Sequence, residues 1–477
     1  MGIVYIAFWL LGAVLVSSAL SQMFPKIPAS LIQIVLGVLL VLLPQIHYNT
    51  SGIDSEFFLM FFIAPLLYWD SIESDKEMLW KQKKPIINYA LGLVILIVLV
   101  IGFFTHWLIP SIPLAAAFAL GAALGPTDAV AVSTLSKTIN FRKDVKNLLQ
   151  GECLLNDASG VVSFQFAAAA IVTGVFSLFD ATTTLIWVFL GGIGLGLGMA
   201  LLKLGVLYVV RRLGVEDITF HVLLQLLTPF VFYLIAEEVG VSGILAVVAA
   251  GIVESLLEPS MIPSVAKLKI VSSSVWTVIS FALNGVVFVI LGTLLPLSMR
   301  RTWASDVNSN ESLIFYVLMV TIVLILVRFI WCVFFAWISD KDDHKRFTLT
   351  KEDLRNALII TLAGAKGAVT LTICLSIPAI AAGGAYLSSR ELIIFLGAGV
   401  ILVTLLLANF VVPLVAPKKD VSRTLADDTI GRIQVLRNVI YELGHDESLT
   451  DKHAVRRVIA SYNSRIERIQ RTTAYED

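Results

Sequence analysis

Thirteen apolar stretches follow one another along this chain, near residues 3–22, 28–44, 56–72, 86–108, 113–135, 148–172, 183–209, 219–238, 241–257, 270–297, 312–338, 355–381 and 391–415. An α-helix needs roughly 20 apolar residues to cross a hydrocarbon core, and most of these stretches supply them. Hydrocarbon offers the backbone no hydrogen-bond partner, so each segment must satisfy its own N–H and C=O groups, which selects the helix. Of the 477 residues, 57% are hydrophobic and 15% charged, whereas a soluble domain carries about a quarter charged residues. The expected fold is therefore an all-α polytopic membrane protein with about 13 transmembrane helices.

The first stretch lacks a charged leading region and a small-residue cleavage site, so it reads as a span and not as a secretion signal. After Pro417 the composition turns polar, with Ile430, Ile433, Leu436, Ile440 and Leu443 at helical spacing. The expected division is a membrane domain over 1–416 and a small tail over 417–477. Lysine and arginine concentrate on alternate loops: Lys76, Lys81, Lys83 and Lys84, then Lys137, Arg142, Lys143 and Lys146, then Arg211 and Arg212, Lys267 and Lys269, and Lys341, Lys345, Arg346 and Lys351. The opposite loops offer Arg300, Arg301 and Arg390. By the positive-inside rule the tail is cytoplasmic. Net charge is zero and no basic run forms a nucleic-acid face, so the partners expected are membrane lipid and no nucleic acid. The three cysteines, Cys153, Cys332 and Cys374, lie inside apolar stretches and give no disulfide framework or metal-ligand spacing.

Against this apolar background the charged residues stand out. Thr127-Asp128 lies in the fifth stretch and Asn156-Asp157 in the sixth. A carboxylate at mid-membrane costs at least ~2.5 kcal/mol unless something solvates it, so each one is a functional hypothesis by default. Gly121, Gly125 and Pro126 stand just before Thr127, and proline removes a backbone donor and obstructs the preceding turn. The twelfth stretch holds Gly364, Lys366 and Gly367, then Pro378. Interrupted helices in corresponding positions of two halves point to a transport site at the bilayer midplane. Stretches 1–6 and 8–13 would then be inverted repeats. The glycines at 191, 192, 194, 196 and 198 need no such explanation, because small residues simply let helices pack closely.

In the sixth stretch Glu152 lies more than a turn from Asn156-Asp157 and points elsewhere. Its natural partner is Arg328, mid-span in the eleventh stretch, because two unpaired buried charges would cost far more than a pair. Asp157 is then left for transport. A carboxylate in a water-lined cavity binds either a proton or a dehydrated monovalent cation, and the two compete. Competition at one site with alternating access is sufficient for exchange. Hard alkali ions favour oxygen ligands, here the Asp157 carboxylate, Thr127, Asp128 and the Asn156 side chain. No cofactor is called for, and nothing reads as an enzyme.

Gly125-Pro126-Thr127-Asp128-Ala129-Val130-Ala131-Val132, together with Gly151-Glu152-Cys153-Leu154-Leu155-Asn156-Asp157-Ala158, resembles the NhaP-type sodium/proton antiporters of the monovalent cation:proton antiporter-1 family. The resemblance extends over all thirteen stretches, including residues 242–248 and 364–369. It implies an NhaA-like fold in which a core domain (stretches 4–6 and 11–13) moves against a dimerisation domain (1–3 and 7–10) of a homodimer in the cell membrane. It also implies that Asp157 binds the ion and the proton, with Asn156 its partner, Thr127 and Asp128 on the unwound segment, and a monovalent cation held at Asp157, Asp128 and Thr127. Glu152 and Arg328 match the family's core ion pair, and Asp70 falls where relatives carry an acid near the ion path. Exchange of Na⁺ or Li⁺ for protons with an Asn-Asp pair would be electroneutral. Two positions depart from the pattern: Cys153 stands where some relatives place a coordinating Ser, and a thiol is a poor ligand for a hard cation, while Lys366 stands where most carry Arg.

Blander readings suffice elsewhere. Glu237 and Glu238 read as interfacial, Glu254 as lining a cytoplasmic funnel, and His47, His106, His221, His344, His445 and His453 as boundary or tail residues. The alternatives to Na⁺/H⁺ exchange are K⁺/H⁺ antiport and a cation channel, which would need a continuous pore. An intramembrane aspartyl protease would need a Gly-x-Gly-Asp pattern, and the chain has none.

Overall fold

The computed structural model describes residues 2–24, 27–42, 55–74, 80–139, 141–174, 178–214, 217–257, 263–303, 310–339, 350–384, 386–387, 389–417 and 460–464. Most of the tail expectation therefore lies outside the described residues. The chain forms one compact unit over Met1–Ser136 and Phe141–Val415, and a second from Lys137–Asn140 and Ala416–Asp477.

The first unit is helical throughout. Its elements are α1 (Gly2–Met23), α2 (Ala29–Leu40), α3 (55–73), α4 (Lys83–Leu108), the pair α5a (Leu114–Ala123) and α5b (Ala129–Thr138), α6 (Lys143–Thr173), α7 (Leu178–Arg212), α8 (Ile218–Glu238), α9 (Gly243–Leu257), α10 (Pro263–Trp303), α11 (Asn310–Ser339), the pair α12a (Lys351–Ala363) and α12b (Ala368–Leu375), and α13 (Arg390–Val415). No strand occurs among the described residues; an isolated bridge joins Ile380 and Tyr386.

Eight of these helices are long and apolar enough to cross a membrane, and the pair α12a–α12b, bent by 49°, makes a ninth. Each of the thirteen expected stretches contains helix among the described residues, and α2, α3, α5 and α9 fall outside that set. Helices α2 and α9 have 12 and 15 residues, and α5 is broken between Ala123 and Ala129.

Local chemistry sets several helix ends. The Asp217 carboxylate accepts from the amides of Thr219 and Phe220 at the start of α8, as a capping aspartate does. Thr350 and Asp353 form a reciprocal capping box ahead of α12a. Gly174, with φ of 71°, ends α6 in a conformation that costs glycine little. Three helices contain a wide π turn, at Leu59–Ile63, Asn88–Leu93 and Leu407–Val411. Two of them, Leu59–Ile63 and Leu407–Val411, lie just before a proline (Pro65, Pro413), whose ring crowds the preceding turn, while Asn88–Leu93 follows Pro85.

Two sets of helix contacts can be traced, joined where α10 packs on α13 and α12b. In one, α9 lies between α3, α7 and α8, and α10 packs on α1 and α2. Gly192 and Gly196 of α7 abut the α9 backbone, whereas Gly194 and Gly198 face open space. In the other, α5a lies among α4, α6, α12b and α13, and α11 packs on α4, α12a and α13. The small residues Ala116, Ala117, Ala119, Gly121, Ala122 and Ala123 are all buried, which lets α5a run through the centre of its group. Large apolar side chains such as Leu15, Trp187 and Leu202 are exposed on the outer helices, as expected of surfaces whose solvent is lipid.

Candidate functional site

The two helix breaks meet. The amide of Asp128, in the break between α5a and α5b, donates to the carbonyl of Ala365, in the break between α12a and α12b (2.8 Å). Close approach is possible because Gly367 has no side chain: a Cβ there would lie 2.5 Å from the Asp128 carboxyl carbon. Gly364 makes room in the same way for the guanidinium of Arg328.

Each break exposes backbone groups that an unbroken helix would satisfy, and charged side chains take them up. Asp128 Oδ1 accepts from the amides of Val130 (2.9 Å) and Ala131 (3.4 Å), capping the N-terminus of α5b. The same carboxylate lies against Gly367 at the N-terminus of α12b. A negative charge is thus placed at two helix starts, where the peptide dipoles favour it. The ammonium of Lys366 donates to the carbonyls of Gly125 (3.0 Å) and Pro126 (2.8 Å), just past the C-terminus of α5a. Its own amide is taken by the Thr404 hydroxyl (3.1 Å).

Helix α6 brings the second motif to this crossing. Asn156 Nδ2 donates to the Thr127 hydroxyl (2.8 Å), which shares a further hydrogen bond with the Cys153 thiol (3.2 Å). Asp157 is 5% exposed, Asp128 8% and Asn156 1%. Asp157 Oδ1, Asp128 Oδ2 and Asn156 Oδ1 are all buried and accept no hydrogen bond. Unpaired buried acceptors are costly, and a bound cation satisfies those within its reach. Asp70, half-buried on α3, and Lys366 complete the charged surroundings: both are close enough for their charge to act on Asp157.

Glu152, also on α6, is placed differently. Its two carboxylate oxygens accept from Arg328 Nη1 (2.6 Å) and Nη2 (2.8 Å), and Arg328 Nε reaches the carbonyl of Ile360 (3.4 Å) near the end of α12a. Both side chains are buried, so this is a two-pronged pair between α6 and α11 with no oxygen left over. Cys153, Cys332 and Cys374 are free and buried. Among the described residues no group of three His, Cys, Asp or Glu side chains could hold a metal ion. The available oxygens thus include an amide alongside the two aspartates.

A second buried charge cluster went unrecognised in the sequence. Lys203 of α7 donates to Glu254 of α9 (2.6 Å) and to the Tyr68 hydroxyl of α3 (2.8 Å), and Tyr68 donates to Glu254 (2.7 Å). Glu254 is 5% exposed and so does not line an open funnel. Its charge, and that of Lys203 inside an apolar stretch, were the available signals; the partnership itself spans three helices and follows no local spacing.

Two broken helices crossing beside buried carboxylates, inside a bundle of apolar spans, define a secondary transporter that handles a small cation. The chain belongs to the sodium/hydrogen exchanger family: the model of that family, described as "Sodium/hydrogen exchanger, transmembrane", matches residues 10–418. A sodium, potassium, lithium and rubidium/proton antiporter of Bacillus pumilus is 42% identical over 475 residues, covering 98% of this chain and 70% of the relative. An uncharacterised Na⁺/H⁺ exchanger of Escherichia coli is 35% identical over 435 residues, covering 87% of this chain and 77% of the relative. The fold matches the structure of the sodium proton antiporter MjNhaP1 from Methanocaldococcus jannaschii, with a TM-score of 0.64 at 18% identity over 87% of this chain and 98% of that one. The chain is a multi-pass membrane protein of the NhaP type.

Proposed function

We propose that this protein exchanges Na⁺ or Li⁺ for protons without net charge movement, with Asp157 binding cation and proton in turn. The observation that carries the reading is the trio of buried acceptors without donors, Asp157 Oδ1, Asp128 Oδ2 and Asn156 Oδ1, at the crossing of two broken helices. A deprotonated Asp157 offers the negative charge that a dehydrated cation needs, and the neighbouring oxygens of Asp128, Asn156 and Thr127 replace water around it. Protonation removes that charge and releases the ion, so the two ligands compete. Asn156 is neutral, which leaves Asp157 as the titrating member of the pair, and one cation leaves for each proton bound.

The helix group α4–α6 with α11–α13 acts as the moving core, against a scaffold of α1–α3 and α7–α10 that forms the homodimer contact. The tail faces the cytoplasm and the protein resides in the cell membrane; the lysine and arginine distribution supports this orientation. Glu152–Arg328 holds α6 to α11 within the core, and Lys366 offsets the carbonyl end of α5a.

K⁺/H⁺ exchange is the second reading. The Bacillus pumilus relative is named for potassium and rubidium as well as sodium and lithium, and the Cys153 thiol beside Thr127 weakens the preference for the smallest, hardest ions.

The test is cation-triggered collapse of a pH gradient in proteoliposomes, adding Na⁺, Li⁺ or K⁺ separately, with the membrane potential clamped and unclamped. Collapse that is lost in Asp157→Asn and ignores the clamp supports electroneutral exchange and names the ion. Collapse that needs the clamp indicates an electrogenic exchanger or a channel. Competition also fixes a sign: acidifying the medium should raise the half-saturating cation concentration in proportion to proton activity, and a pH-independent value would count against a shared site.

A further inference from the structure

Three successive residues of α3 point three ways. Tyr68 enters the hydrogen-bonded ring with Lys203 of α7 and Glu254 of α9. Trp69 stacks on Trp276 of α10, with ring centroids 5.3 Å apart and planes within 7°. Asp70 follows. Residues two apart on a helix are ~200° apart around its axis, so Asp70 projects away from the ring, and its charge is close enough to act on Asp157 of α6, a helix that α3 also touches.

The ring itself is buried, with Glu254 Oε1 left without a hydrogen-bond partner. Tyr68 is 0% exposed, Lys203 8% and Glu254 5%. The ammonium, the phenol and one carboxylate oxygen bond one another within 2.6–2.8 Å. Gly251, one turn before Glu254, lets α9 come close to α3: a Cβ there would lie 2.8 Å from the Tyr68 carbonyl oxygen and 2.7 Å from Ser71 Cβ. A buried ion pair is weak evidence for stability alone and is better attested as a device that fixes register. Here the register fixed is the rotation of α3 about its own axis.

We propose that the Lys203–Glu254–Tyr68 ring is a positioning device for cation binding, holding α3 so that Asp70 faces the ion site at Asp128 and Asp157. The inference rests on the reading of Asp157 as the ion-binding carboxylate. The scaffold group then does more than provide a wall for the moving core: it presents one negative charge to the site at a fixed angle. A ring that merely stapled three helices together would act on folding and leave the cation affinity untouched.

The experiment is a double-mutant cycle in proteoliposomes between Tyr68→Phe and Asp70→Asn, reading the half-saturating Na⁺ concentration and maximal rate separately. Tyr68→Phe keeps the ring and the Lys203–Glu254 contact and deletes the hydroxyl, so it should fold. Each single variant should raise the half-saturating concentration about three- to tenfold with little change in maximal rate, and the double variant should be no worse than Asp70→Asn alone. The double variant Lys203→Met/Glu254→Gln removes both charges of the ring and should behave as Tyr68→Phe, while Lys203→Arg, which keeps the charge, should lose less. The thermal midpoint of each variant in detergent, read in parallel, separates weaker binding from poorer folding. Multiplying effects in the double variant, an unchanged half-saturation in Tyr68→Phe, or an unchanged one in Asp70→Asn would each overturn the proposal. Exchange that survives Asp157→Asn would overturn the site reading instead, and that variant is measured alongside.

Discussion

Helix α6 buries two carboxylates five residues apart, and they meet opposite conditions. Glu152, 1% exposed, has both oxygens on the Arg328 guanidinium. Asp157, 5% exposed, keeps an oxygen without any donor. Burial therefore does not distinguish these two carboxylates; hydrogen-bond satisfaction does. A fully paired charge has nothing left to offer a ligand, while an unpaired one represents a standing cost that only a ligand or a proton can remove.

Removing the Asp157 charge gives the largest expected effect on transport. Asp157→Asn should reduce cation-driven proton movement to the liposome background, with a thermal midpoint equal to or above the parent's, because a buried charge lacking a donor has been neutralised. Gradient-collapse and melting assays on the same preparation check both halves. Retained exchange would erase the distinction between the two carboxylates.

The converse holds at Arg328. Arg328→Ala leaves Glu152 buried and unpaired, at a cost of about 3–5 kcal/mol, so the variant should melt far earlier or fail to accumulate in the membrane. The double variant Glu152→Gln/Arg328→Met removes both charges and should recover most of that stability. A single variant as stable as the parent would show that the pair contributes nothing.

An intermediate effect is expected where the helix breaks touch. Gly367→Ala would place a methyl group 2.5 Å from the Asp128 carboxyl, an overpacking that costs about 1–3 kcal/mol and displaces an ion-site oxygen. Exchange should fall. Gly198→Ala, where a Cβ meets nothing within 4 Å, should be neutral or raise stability by up to ~1 kcal/mol, since alanine is the better helix former. Equal behaviour of the two variants would mean that the close approach at the crossing is not needed.

The fold class was legible because lipid imposes a simple rule that apolar length reveals. The helix interruptions were legible too, since Gly125-Pro126 and Gly364/Gly367 disturb helices wherever they fall. Glu152 and Arg328 could be matched because both are mid-span charges. What local pattern does not encode is contact between distant segments. The Asp128 amide finds the Ala365 carbonyl 237 residues away by a crossing of two helices, and Tyr68, Lys203 and Glu254 converge from three helices with no common spacing. Tyr68 reads from the sequence as one more aromatic in an apolar stretch, and only the resemblance to the family singles out Asp70 two residues on. The π turns likewise left no pattern beyond a nearby proline.

The smallest effect should come from another charge pair on the same helix. Arg142, immediately before α6, approaches Glu352 of α12a at 3.5 Å, with the two side chains 53% and 70% exposed. The helices joined here are α6, which carries Asn156-Asp157, and α12a, which leads into the second helix break, so proximity to function would assign the pair importance. Solvation argues otherwise: exposed ions lose little on separation, and such pairs contribute about 0.2–1 kcal/mol or nothing measurable. Glu352→Gln should thus leave the thermal midpoint within about 1 °C and the exchange rate within twofold, with any residual effect vanishing in high salt. A loss comparable with that of Arg328→Ala would mean that location on α6 and α12a, and not desolvation, decides which charges matter.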